Sequence, residues 1–134
     1  MIILNDSRFS DEVFYEAKNL DDIKNSPNNS TIIFKYNEND LDLYKFCQRN
    51  NIRYGVEISS IKELIFISNL NATYAMCNNL NLAKNLQKIV DNYLLETKIV
   101  IKSYTKNIEE IALNEIDAIF IEGTKWNSLT PKTI

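Results

Sequence analysis

Short apolar runs alternate with longer amphipathic stretches from Thr31 to Gly123. Thr31–Tyr36, Ile52–Ile58, Ala72–Met76, Lys98–Ile101 and Asp117–Ile121 read as strands, the more central ones apolar on both faces, as a sheet covered on both sides demands. Between them, apolar residues return at helical spacing. Leu41 and Tyr44, with Phe46 and Cys47, mark a helix over Glu38–Asn50. Leu82, Leu86, Ile89, Val90, Tyr93 and Leu94 mark the longest helix, to about Leu95. Ile108, Ile111 and Ala112 mark a short one before the last strand.

Helix starts are signalled too. Asn19, Asn37, Ser60, Asn79 or Asn81, and Thr105 or Asn107 stand where an N-cap belongs, since each side-chain oxygen can accept from an otherwise orphaned amide. Ser60 with Glu63 forms a capping box. Before Thr31, Met1–Leu4 and Val13–Ala17 predict short strands and Leu20–Lys24 one or two helical turns. Asn25–Ser30, with Pro27 inside it, is the strongest loop signal. Trp126–Ile134 is a tail broken by Pro131.

This alternation predicts one α/β domain over residues 1–134, with a mostly parallel sheet built from successive βα units. Two closures remain open: a three-layer, flavodoxin-like sheet or a partial (βα)-barrel.

Composition narrows the chemistry. Histidine is absent, which removes Ser-His-Asp and Cys-His catalysis and histidine metal sites. Only two glycines are present, too few for a glycine-rich phosphate loop. The net charge of −3 lacks the basic footprint of nucleic-acid binding. Cys47 and Cys77 lack zinc-ligand spacing, and no metal or cofactor is expected. No apolar run approaches the roughly 20 residues that span a bilayer. Met1–Leu4 has no basic flank, so a cytoplasmic chain is expected. Abundant Asn and Ile read as codon bias from an AT-rich genome, and the Asn-x-Ser/Thr matches at Asn5, Asn28, Asn29 and Asn71 as chance.

The units from Ser59–Leu64 through Leu70–Ala75, Ile99–Ser103, Ile108–Ala112 and Ile116–Phe120 resemble consecutive units of phosphate-binding (βα)-barrels of the ketodeoxyphosphogluconate-aldolase type, over roughly Ile52–Gly123. The resemblance implies topology and not aldolase activity. The strand Asp117–Ile121 has no Schiff-base lysine, and the phosphate-loop glycines are missing. A receiver-domain comparison fails because Lys35-Tyr36-Asn37 and Glu57 do not supply that family's acidic residues.

Ligands of parallel α/β sheets bind beyond the carboxyl ends of the strands. That rim collects Lys35, Glu57, Ser59, Cys77, Asn78, Lys102, Ser103, Glu122 and Lys125. Glu57 and Glu122 suit an acid–base pair or Mg²⁺ ligation, and Lys35 and Lys102 suit an anionic ligand. Cys77 is the candidate thiol, although an inert buried cysteine is the simpler expectation.

The segment Ile61–Leu70 is apolar nearly all round. Ile61, Phe66, Ile67 and Leu70 therefore suggest a subunit contact, with Phe9, Phe14 and Trp126 as further anchors. Two functions follow as expectations. The favoured one is a small, non-enzymatic binding or interaction protein that forms a homodimer. The alternative is a small enzyme or sensor acting on an anionic, phosphorylated metabolite at the strand ends.

Overall fold

The structure is a computed structural model that describes residues 1–123. Its strands are β1 (Ile2–Leu4), β2 (Phe14–Glu16), β3 (Thr31–Lys35), β4 (Tyr54–Glu57), β5 (Tyr74–Cys77), β6 (Lys98–Ser103) and β7 (Ala118–Ile121). Its helices are α1 (Leu20–Lys24), α2 (Leu41–Arg49), α3 (Ile61–Ser68), α4 (Leu80–Tyr93) and α5 (Ile108–Leu113). The 3₁₀ turns Glu38–Asp40 and Thr105–Asn107 lead into α2 and α5.

All seven strands are parallel, in the order β1-β7-β6-β5-β4-β3-β2. From β2 to β7 each strand lies beside its predecessor, with no reversal. Right-handed crossovers then place the helices on one face, which selects the partial barrel over the doubly wound sheet. The sheet curls into a half-barrel to cover its other face.

Two apolar clusters record this. Ile32, Phe34, Tyr54, Val56, Ala75, Ile99, Ile101, Ile119 and Ile121 pack outward against Tyr44, Cys47, Leu64, Ile67, Leu86, Val90 and Ile111 of the helices. The alternate positions Leu4, Phe14, Ile33, Tyr74, Met76, Val100, Ala118 and Phe120 form the inner cluster. Phe14 of β2 meets Phe120 of β7 edge-on at 5.1 Å between ring centroids and Tyr74 of β5 at 6.1 Å. Gly55 sits on the inner face of β4 because a Cβ there would lie 3.0 Å from the Tyr74 Cβ and 3.2 Å from the Ile33 Cδ1.

The N-terminal end of the curl is closed by polar bonds. The Tyr74 hydroxyl donates to Glu12 Oε1 (2.8 Å), Arg53 Nη2 donates to Tyr74 Oη (3.1 Å) and Glu12 Oε2 (3.2 Å), and Thr31 Oγ1 donates to Glu12 Oε2. This network ties the residues before β2 to β3, β4 and β5.

Asn19, Ser60 and Asn79 cap α1, α3 and α4 as predicted, accepting from Asp22, Glu63 and Leu82 amides. Glu63 reaches Ser59 N–H (3.0 Å) and not the amide of Ser60, so the capping box is displaced by one residue. With few glycines, asparagine takes the left-handed positions: Asn5, Asn29, Asn51 and Asn71 all have φ between 54° and 64°, which its short polar side chain tolerates best after glycine. Tyr93 and Leu94 share the helical spacing of α4 and still face out. They are 72% and 86% exposed, because α4 ends at Tyr93 and Leu94 turns the chain at φ 53°. Gln87 is buried instead. It accepts from the Asp117 amide (3.0 Å) and donates to Asp91 (3.0 Å), joining α4 to the start of β7.

Candidate functional site

Strand parity decides which rim residues share a face. Inward positions continue Phe14, Ile33, Gly55, Val100 and Phe120 to Glu16, Lys35, Glu57, Lys102 and Glu122 at the C-terminal ends. The mouth of the half-barrel is therefore charged, while the layer beneath it is apolar.

Lys102 is the hub. Its Nζ donates to Glu57 Oε1 at 2.7 Å and lies 3.6 Å from Glu122 Oε1. The three side chains retain 23%, 24% and 37% of their surface, in the order Lys102, Glu57, Glu122. Burial pulls the Lys102 pKa down. The hydrogen bond to Glu57 and the charges of Glu57, Glu122 and Glu16 together outweigh it and raise the pKa above the usual lysine range. The ammonium therefore occupies the place between the two glutamates, and it cannot by itself hold an anion without competing with them.

The register sets Lys35 directly beside Glu57 on the neighbouring strand, yet Glu57 bonds to Lys102, two strands away. Lys35 is exposed and makes no ion pair among the described residues. Between the ends of β2, β3 and β4 lies a cleft of about 500 Å³, lined by Glu16, Lys18, Lys35, Asn37, Asp40 and Glu57 among others. Its volume falls in the ordinary range for small-molecule sites. On the far edge, Asp6 follows β1 with a fully buried side chain gripped by Arg8 through two bonds of 2.7 and 3.0 Å. The guanidinium holds its carboxyl below the usual range despite burial.

Several expected rim residues face elsewhere. Cys77 packs in the helix-side cluster with its thiol 3.7 Å from the Asn79 carbonyl, and burial raises its pKa. Cys47 is pushed up to about 11 by burial. Neither is an activated thiol. Ser59 is occupied by Glu63 at the start of α3, and Ser103 accepts from Asn107 Nδ2 at 2.9 Å. Asn78, by contrast, continues the inward parity of Tyr74 and Met76 and is exposed just past β5. Lys125 and Trp126 lie outside the described residues.

Of the expected contact residues, Ile67 is fully buried and has no surface to offer. Leu70 is half-buried against the helix-side core. Ile61 and Phe66 stay 38% and 37% exposed, joined by Ile65 at 44%. Phe14 belongs to the inner cluster, while Phe9 is 62% exposed.

Sequence reasoning missed Glu16, Asp40 and Lys18. The signal was available: Glu16 continues the inward parity of Phe14, and Lys18 and Asp40 follow the ends of β2 and β3. Among the described residues, no group of three or more His, Cys, Asp or Glu side chains is placed to hold a metal ion, and no helix is long and apolar enough to cross a membrane. Comparison with protein-family models finds no match, and neither does comparison with curated proteins.

Proposed function

We propose that this chain is a non-enzymatic binding protein whose ligand site is the mouth of the half-barrel at the carboxyl ends of β2, β3, β4, β6 and β7. One observation carries the reading: Glu16, Lys35 and Glu57 turn to the inner face and line a cleft of about 500 Å³, with Lys102 bonded to Glu57 and close to Glu122 behind it. Polar groups convergent over an apolar floor are the usual composition of a small-ligand site.

Titration behaviour supports binding over catalysis. A general acid or base works best with a pKa near the operating pH. Among the described residues, every group with a shifted pKa moves away from neutrality: Tyr44 and Tyr74 to about 12, Cys47 to about 11, Tyr36, Tyr54, Cys77, Lys102 and Arg8 upward, Asp6 downward. An amine nucleophile needs a depressed pKa, and Lys102 has the reverse. The likeness to ketodeoxyphosphogluconate-type aldolases is accordingly one of layout. The two free, buried thiols suit a reducing, cytoplasmic setting.

The test is a thermal-shift screen of small polar metabolites against the wild-type chain and Glu57→Gln, a change at a residue that lines the cleft. A site ligand at 100 times its dissociation constant stabilises by about 2.7 kcal/mol, and the variant loses most of that shift. A screen with no stabilising compound, or shifts equal in both proteins, contradicts the reading.

A second reading rests on α3, where Ile61, Ile65 and Phe66 present exposed apolar surface. It makes this helix the contact of a homodimer. Ile65→Glu then converts a dimer to a monomer by light scattering, and a wild-type chain that already runs as a monomer contradicts it.

A further inference from the structure

We infer that the ligand of the mouth is a small zwitterion, carrying one protonated amine and one carboxylate or phosphate. The inference rests on the binding reading above and specifies its chemistry. Charges inside the mouth fall into two groups. Lys102 is spent between Glu57 and Glu122. Of the other charges that line the cleft, Glu16 and Lys35 stand on the adjacent strands β2 and β3 and on the inner face, while Lys18 and Asp40 lie in the segments after those strands.

Neither Glu16 nor Lys35 makes an ion pair among the described residues, with each other or with another group. Glu16 stands at the β2 end of the cleft, with Lys18 two residues further on. At the β3 end, Lys35 stands beside a Glu57 that is already engaged by Lys102. Glu16 thus offers an acceptor for an ammonium and Lys35 a donor for an anion, with no ion pair between them.

A monoanion satisfies Lys35 and leaves Glu16 facing it, with Glu57 and Asp40 as further repulsive neighbours. A simple cation meets Lys35 and Lys18 in the same way. A ligand with both charges avoids either conflict, which is how specificity arises from placement of opposite charges.

The experiment measures binding of the common α-amino acids and phosphoethanolamine by calorimetry and thermal shift. Acetate, inorganic phosphate and ethylammonium serve as single-charge controls. The proteins are the wild type, Lys35→Gln and Glu16→Gln, both exposed positions where the fold is retained. The expected result is that at least one zwitterion binds, the controls do not, and each variant binds it about tenfold or more weakly, as loss of a charge-assisted hydrogen bond implies.

Three results overturn the inference. If phosphate or ethylammonium alone binds and depends on Lys35 or Glu16, the mouth is a binding site for a singly charged ligand. If a zwitterion binds equally to both variants, its site lies elsewhere. If no zwitterion binds, the assignment fails, and the metabolite screen with Glu57→Gln decides separately whether the mouth binds anything.

Discussion

Curling of the sheet makes a quantitative demand on Phe14 and Phe120. In the strand order, β2 lies five steps from β7. In a flat sheet, with strands about 4.8 Å apart, these strands would be separated by about 24 Å, beyond the reach of two phenyl rings. Their centroids instead lie 5.1 Å apart at an interplanar angle of 72°, and each residue is 1% exposed. The perturbation is a double-mutant cycle of Phe14→Leu and Phe120→Leu, which removes the rings and keeps an apolar side chain at each site. Each single change costs about 1–2 kcal/mol, in the common range for core substitutions. An edge-to-face pair adds about 0.5–1.5 kcal/mol beyond area burial, so the double variant is less destabilised than the sum by that amount. Urea unfolding reads this directly. With a slope of about 1–3 kcal/mol per molar urea, a coupling near 1 kcal/mol displaces the double variant's midpoint by about 0.3–1 M from the additive value. A coupling below about 0.3 kcal/mol is the additivity of distant sites and would refute the curl.

Further substitutions test the local arguments. Gly55→Ala puts a methyl 3.0 Å from the Tyr74 Cβ and is expected to cost about 1–3 kcal/mol by overpacking; an unchanged urea midpoint contradicts the close approach. Asn71, at φ 61° after α3, predicts that Asn71→Gly is neutral or better while Asn71→Val destabilises by about 1–2 kcal/mol; equal midpoints for the two variants contradict the left-handed turn. Tyr36 has a buried hydroxyl with no hydrogen-bond partner among the described residues, so Tyr36→Phe should leave stability unchanged or raise it by up to about 1 kcal/mol, and a clear loss shows that the hydroxyl is bonded. Arg8 lowers the Asp6 pKa below its ordinary 3.8, so this carboxylate's stabilisation is present above pH 3.8 and is lost as the pH falls through its folded pKa. Asp6→Asn should therefore be less stable than wild type at pH 7 by a margin that shrinks toward pH 2, and a margin that stays constant or widens contradicts the pairing.

The readable part of the fold is the part that local sequence controls. β3 through β7 are apolar runs bounded by polar residues, and the caps at Asn19, Ser60 and Asn79 are single side chains answering orphan amides. The partial barrel stood as one of two closures, and the choice between them was not readable, because it depends on Phe14 meeting Phe120 and Tyr74 across strands far apart in the chain. Tyr93 and Leu94 fit the helical period and still face out, since a period cannot report the turn at which α4 ends. The all-apolar look of Ile61–Leu70 hid a division: Leu64 and Ile67 go to the core while Ile61, Ile65 and Phe66 stay out. At the mouth, Lys35, Glu57, Lys102 and Glu122 were accessible from strand-end reasoning. Their pairing was not, because Glu57 joins Lys102 and leaves its register neighbour Lys35 alone. Cys77, Ser59 and Ser103 were lost from the mouth by strand parity and by helix-start bonds that a list of strand ends does not weigh.

The mouth as a ligand site is tested most directly by titrating the ¹⁵N-labelled chain with polar metabolites and mapping the amide shifts. The account predicts saturable changes confined to Glu16–Lys18, Lys35–Asn37, Asp40, Glu57, Lys102 and Glu122. Changes centred on α3 or on the Glu12–Arg53–Tyr74 end of the half-barrel, or no saturable change at all, contradict it.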